Sequence, residues 1–288
     1  MARAPRKQVA GHMAVLAGGA AGLTEILIMY PLDTVKTRKM LQVDGANVGV
    51  IRTMKDIISI GGTRALYRGI LPPICMEAPK RAVKFGANDT VHPILLKLTG
   101  ATSMTQGIAI IAGASGGISE SVIVAPFEKI KIRMQDAKNL GRYSSSVDCF
   151  RKTMASEGPL AFAKGIQATV ICQGIWSAGY FGTIYRVRKS AWTPKTLAEE
   201  LILDLVAGFS GGLVGTVLNT PFDVVKSRVQ NMETSKNSKV PNTFKVLADI
   251  ARKEGISAWY KGFKPKALRL APGGGILLAL FEQAKANF

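Results

Sequence analysis

Acidic residues are scarce in this chain: 19 Asp and Glu stand against 38 Lys and Arg, a formal net charge of +19. So one-sided a charge usually accompanies a shortage of apolar residues. Here 47% of residues are apolar and the mean hydropathy is +0.18, which excludes long disordered tracts. Two classes combine grease with basic charge: a nucleic-acid binder with a large core, or a membrane protein with basic faces. Cysteine is also rare. Cys75, Cys149 and Cys172 form no C-x-x-C and lie near no His pair, which excludes a disulfide scaffold and a zinc site. Catalytic signatures are missing as well: no G-x-x-x-x-G-K-[ST], no H-E-x-x-H, and no Ser/His/Asp or Cys/His set. Gly273-Gly274-Gly275 follows Pro272 inside a helical stretch with no preceding strand, so it is not a nucleotide loop. No enzyme activity, catalytic residue, cofactor or metal is expected.

What the chain does have is threefold repetition, the feature to seek first. Pro31-Leu-Asp33-x-x-Lys36-x-Arg38 recurs as Pro126-Phe-Glu128-x-x-Lys131-x-Arg133 and as Pro221-Phe-Asp223-x-x-Lys226-x-Arg228, with the prolines 95 residues apart each time. Some 40 residues later come Tyr67-Arg68-Gly69, Ala163-Lys164-Gly165 and Tyr260-Lys261-Gly262, each with a glycine seven residues earlier (Gly62, Gly158, Gly255). The chain divides into units 1–100, 101–196 and 197–288. Each unit has a small-residue-rich apolar stretch leading into the proline, a short amphipathic piece, and a second long helical stretch (70–97, 166–190, 263–287). Gly18/Gly22, Gly113/Gly117 and Gly208/Gly212 carry the spacing that lets helix backbones approach closely.

No stretch is an unbroken run of about 20 apolar residues; segment 70–97 carries Glu77, Lys80, Arg81 and Lys84. A soluble helical repeat protein, in the extreme a basic nucleic-acid binder, is the alternative. Solenoid units run about 20–50 residues, shorter than these, and charges in a spanning helix are expected to face water inside the bundle. The reading is an all-α membrane protein: six transmembrane helices in three pseudo-symmetric repeats around an aqueous cavity, each repeat with a short amphipathic helix.

These residues resemble the mitochondrial carrier family over essentially the whole chain. Met29-Tyr30-Pro31-Leu32-Asp33, Glu77 to Phe85, Pro126 to Asp136, Gly179-Tyr-Phe-Gly182 and Arg269-Leu-Ala-Pro-Gly-Gly274 are similar to its 2-oxodicarboxylate branch. The resemblance implies the inner mitochondrial membrane, no cleaved presequence, amphipathic helices on the matrix side, and strict metabolite exchange by alternating access. The short Arg3/Arg6/Lys7 tail has no apolar h-region.

Residues shared by all three copies suit threefold machinery; positions that differ suit a substrate without threefold symmetry. Acid and base three apart are neighbours on one helix face, just past a proline that breaks the helix ladder. Three such helices can close a neutral ring. The resemblance supplies the pairing of this matrix gate: Asp33 with Lys131, Glu128 with Lys226, Asp223 with Lys36. It also implies bracing amides at Gln135 and Gln230, where the first repeat has Met40. The cytoplasmic gate is expected to be weaker. Equivalent positions are Asp89, Tyr185 and Glu282, then His92, Arg188 and Lys285, and the family's [FY]-[DE]-x-x-[KR] is intact only at Phe281-Glu282-x-x-Lys285.

Seven residues past each landmark glycine stand Met76, Cys172 and Arg269, which align with the family's central contact points. Residues four and eight further on share the helix face: Lys80 and Lys84, Trp176 and Tyr180, Gly273 and Leu277. Arg binds a carboxylate bidentately and Lys as a point charge, so Arg269 with Lys80, helped by Lys84, is expected to hold a dicarboxylate. Glu77 is placed to pair with Arg81 or to accept a substrate hydroxyl. The branch usually carries Arg and a polar residue where this chain has Cys172-Gln173. The expected function is exchange of 2-oxodicarboxylates such as 2-oxoadipate and 2-oxoglutarate, with tricarboxylate or C4-dicarboxylate exchange as the alternative. Arg68-Gly69, Lys164-Gly165 and Lys261-Gly262 stand near helix N-termini, where cardiolipin-like anionic phospholipid is expected. No nucleic-acid partner is expected, and the protein should work as a monomer.

Overall fold

The computed structural model describes residues 11–43, 48–100, 105–190, 194, 196–233 and 241–270. Among them every regular element is helical: α1 (Gly11–Leu41), α2 (Val50–Gly61), α3 (Leu71–Thr99), α4 (Gln106–Gln135), α5 (Ser146–Glu157), α6 (Ile166–Ser190), α7 (Leu197–Asn231), α8 (Thr243–Glu254) and α9 (263–270). The order long, short, long therefore occurs twice in full, and the third repeat shows a long helix, a short one and the opening turns of α9. The complete long helices run from 25 residues in α6 to 35 in α7. At about 1.5 Å per residue they exceed a hydrocarbon core of about 30 Å. Pro31, Pro126 and Pro221 all lie inside their helices.

Polarity is turned inside out relative to a soluble fold. Leu27, Ile28, Ile111, Val122, Ile202, Leu205, Phe209 and Leu218 are exposed, whereas Lys129, Arg133, Glu120, Gln135, Asp223, Lys226 and Gln230 are buried. An apolar exterior is what lipid requires. Neighbours follow chain order: α3 packs on α4, α4 on α6, α6 on α7, and α1 touches both α4 and α7.

The short helices lie at one end and build a small core each. Val35, Ile57 and Leu66 form one; Ile130, Met134, Tyr143, Cys149 and Phe162 the second; Met40, Val224, Val225, Val229, Val246, Ile250 and Ala258 the third. The landmark glycines tie these ends together. Gly69, Gly165 and Gly262 have φ of 76°, 100° and 87°, a region that favours glycine. A Cβ on them would lie 2.8 Å from Met134 Cβ, 2.8 Å from Gln230 Cγ and 2.9 Å from Met40 Cγ. Each glycine thus abuts the proline-bearing helix of the next repeat, the third abutting the first. Arg133 pairs with Glu157 at 2.5 Å and Arg228 bonds Glu254 at 2.9 Å. Gly61 stands at the corresponding place in the first repeat.

Candidate substrate site and gate

The motif-bearing helices α1, α4 and α7 converge at the end carrying the short helices, and there the motif charges meet. Lys131 Nζ lies 3.1 Å from Asp33 Oδ2, Lys226 Nζ 2.8 Å from Glu128 Oε1, and Lys36 Nζ 3.0 Å from Asp223 Oδ2. Every pair joins the acid of one repeat to the base of the next. Lys131 also sits 5.2 Å from the Tyr30 ring centroid, a cation–π distance. Of the two amides, Gln135 Nε2 donates to Thr34 Oγ1 at 3.0 Å and Gln230 Nε2 to Thr169 Oγ1 at 3.1 Å. Met40, at the third position, is buried in the apolar cluster with Val224 and Val225, its sulfur 3.5 Å from Ser227 Oγ.

Two of these acids carry a second cation, both from α9. Lys266 Nζ lies 2.7 Å from Asp223 Oδ2. Arg269 places Nη1 2.7 Å from Asp33 Oδ1 and Nη2 2.8 Å from Glu25 Oε1. Lys36 and Arg269 keep 25% and 31% of their side chains accessible although they sit among the packed helices, where a charge is expected to face water. Cys172 is buried; its sulfur lies 2.7 Å from Asn219 Oδ1 and 2.9 Å from Asp223 Oδ1, so its one proton can go to either. Gln173 Nε2 donates to Glu120 Oε1 at 2.7 Å.

Among the described residues, the remaining expected site residues lie on α3 and α6. Lys80 Nζ is 2.7 Å from Glu77 Oε2 on its own helix, so the lysine expected at the substrate and the acid expected to meet Arg81 or a hydroxyl are joined to each other. The spacing predicts this no better than the i,i+4 pair, because both neighbours lie on one face. Met76 is half-buried. Trp176 and Tyr180 stack with centroids 4.7 Å apart and lie against α7: a Cβ on Gly215 would be 3.3 Å from Trp176 Cδ1, and one on Gly211 3.2 Å from Tyr180 Cδ2. At the other end Arg188 Nη2 meets Asp204 on α7 at 2.7 Å, both well exposed. The side chains of Arg81, Lys84 and Asp89 lie outside the described residues, as do Glu282 and Lys285 entirely.

Sequence reasoning misses Glu25, Glu120, Lys266, Asn219 and Asp204. A signal exists for the first two, which are 95 residues apart and so occupy equivalent positions. Chemically the arrangement can hold anions and break and remake ion pairs. Among the described residues no group of His, Cys, Asp and Glu could hold a metal.

The family model for "Mitochondrial carrier protein" matches residues 9–98, 103–195 and 198–288. The chain belongs to the mitochondrial carrier family. It is a multi-pass protein of the mitochondrial inner membrane and not an enzyme. α1, α3, α4, α6 and α7 are five of its six spanning helices, with the short helices on the matrix side; the sixth falls mostly outside the described residues. It is similar to "Mitochondrial citrate transporter D" of Aspergillus niger, 46% identical over 281 residues, covering 92% of this chain and 90% of the relative. "Mitochondrial 2-oxodicarboxylate carrier 2" of Saccharomyces cerevisiae is 46% identical over 279 residues, with 92% and 90% covered. The human "Mitochondrial 2-oxodicarboxylate carrier" is 36% identical over 277 residues, with 93% and 91% covered.

Proposed function

We propose that this carrier exchanges 2-oxodicarboxylates across the inner membrane by alternating access, and that the Asp33–Lys131, Glu128–Lys226 and Asp223–Lys36 ring is its matrix gate. The observation that carries the substrate class is Arg269, a guanidinium beside the ring that is partly accessible and presents two donors to carboxylates. A planar fork of this kind suits a carboxylate better than any other metabolite group. Buried ion pairs gain Coulomb energy but lose hydration. That near-balance is what a ring needs if it must open in every cycle. The relatives named 2-oxodicarboxylate carriers support the same reading.

Citrate is the second reading. It is favoured by the Aspergillus relative named a citrate transporter and by Cys172 at the position where the oxodicarboxylate branch is expected to carry Arg. Repeats 1–100, 101–196 and 197–288 act as one integrated domain, as a monomer. Anionic phospholipid is held at the matrix-side starts of α6 and α9 by free backbone N–H groups, and at α3, where Pro72 and Pro73 carry no N–H, by the positive end of the helix dipole. There Arg68 and Lys261 themselves bond the carbonyls of Tyr143 at 2.9 Å and Gln42 at 2.8 Å.

Liposomes containing the purified protein and loaded with 2-oxoglutarate should take up labelled 2-oxoadipate, and empty liposomes should not. Uptake without an internal counter-anion overturns exchange; uptake of citrate alone overturns the substrate class.

A further inference from the structure

Lys266 has no counterpart among the repeated charges. Four residues after each landmark glycine stand Pro73, Thr169 and Lys266, so only the third repeat places a cation there. Its partner Asp223 is already matched by Lys36, the motif base, and both ammonium groups approach the same oxygen, at 2.7 and 3.0 Å. As far as the ring is concerned, Lys266 is a surplus charge. A second observation gives it a place. The Cys172 thiol reaches the other oxygen of that carboxylate at 2.9 Å, so Lys266 and Cys172 converge on one group from α9 and α6. The cation expected at position 172 is absent, and Lys266 delivers one to the same spot from across the bundle.

We propose that Lys266 is a substrate-binding and specificity-determining residue that forms, with Arg269, the clamp for the two carboxylates. The proposal rests on the reading above only in taking the substrate to be a polycarboxylate anion. Lys266 and Arg269 are three residues apart on α9, hence on one face and about 4.5 Å apart along the axis. A five- or six-carbon diacid spans that interval. Each cation is now held by a gate acid, Lys266 by Asp223 and Arg269 by Asp33. An incoming diacid exchanges one carboxylate for another at each, so no cation is left bare at any stage. The exchange also detaches α9 from α7 and α1, which ties occupancy of the site to release of the ring. Lys80 lacks this geometry, because its bond at 2.7 Å is to Glu77 on its own helix.

The test compares KM and maximal rate for 2-oxoadipate in 2-oxoglutarate-loaded liposomes for wild type, Lys266→Gln, Lys266→Arg, Lys80→Gln and Cys172→Arg/Lys266→Gln. Lys266→Gln should raise KM about tenfold or more, as loss of a charge-assisted bond does. Lys266→Arg should keep KM within about threefold, and the double variant should recover most of the loss. A slower rate at unchanged KM would mark Lys266 as a gate strut and overturn the proposal, as would a larger KM rise for Lys80→Gln. Should Lys266→Gln fail to insert, Lys266→Arg decides: an unchanged KM ratio between 2-oxoadipate and citrate contradicts a direct contact. If wild type exchanges citrate and no 2-oxodicarboxylate, the functional reading fails by itself, and the same comparison made with citrate still decides the role of Lys266.

Discussion

Lys36 in α1 and Asp223 in α7 stand 3.0 Å apart, so the third repeat is tied back to the first by the same kind of bond that ties first to second and second to third. The three bonds differ in their surroundings. Asp223 also receives Lys266, and Asp33 also receives Arg269. Glu128–Lys226, at 2.8 Å, is therefore the pair whose exchange is simplest to interpret.

Glu128→Lys or Lys226→Glu alone places like charges together in a partly dehydrated site, and each should reduce exchange by about two to three orders of magnitude or more, given about 3–5 kcal/mol for breaking a buried pair. The double variant restores opposite charge and should regain part of the activity. Exchange rates measured on the three proteins settle it; a double variant no better than the worse single one removes this pair from the gate.

Arg269→Gln should abolish uptake of every dicarboxylate while helical content by circular dichroism is retained. Arg269→Lys keeps the charge but not the fork that spans Glu25 and Asp33, so it should raise KM more than it lowers the maximal rate. Full activity of Arg269→Gln would end its assignment to the substrate.

Gly165 combines φ of 100° with a Cβ position 2.8 Å from Gln230 Cγ. Gly165→Ala should destabilise by about 1–2 kcal/mol from backbone strain, with the displaced Gln230 adding to it. Gly174, around which a Cβ meets nothing within 4 Å, serves as control, and Gly174→Ala should melt at or slightly above the wild-type temperature.

At the matrix surface Arg228 bonds the Glu254 carboxylate and holds it below its ordinary range, with Lys261 helping. A depressed carboxylate contributes stability that is fully present above the unfolded value of about 4.3 and disappears as pH falls through the lower folded value. Melting temperatures of wild type and Glu254→Gln should therefore differ at pH 7 and converge on acidification below about pH 4. A difference that persists unchanged into acid contradicts the ion pair.

Much of the fold is legible in the chain because the landmarks recur at a constant interval: Pro31, Pro126 and Pro221 alone locate the three helices that carry the acid–base motif. The acid–base ring is legible for the same reason, since Asp33 and Lys36 repeat with the frame. The substrate side is harder to read. Counting in fours from Met76 brings Lys80 forward, but helix spacing does not say that Glu77, three residues back, holds it at 2.7 Å. Lys266 lies outside that count, and its meeting with Cys172 on Asp223 depends on how α6, α7 and α9 are rotated about their axes, which no local pattern encodes. Glu25 and Glu120 repeat at 95 residues yet bond to different partners, Arg269 and Gln173, because α9 and α6, which carry those partners, differ in sequence.

The direction of the ring bonds also bears on how the protein is made. In each repeat the acid points to one neighbour and the base to the other, so no repeat neutralises itself. When the first two repeats have entered the bilayer, Asp33 can already find Lys131, but Lys36 and Glu128 wait at the two open ends for groups carried by α7. Arrival of Asp223 and Lys226 on that one helix satisfies both at once. Closure of the ring thus hangs on α7 alone, and a chain truncated before that helix leaves Lys36 and Glu128 without their ring partners.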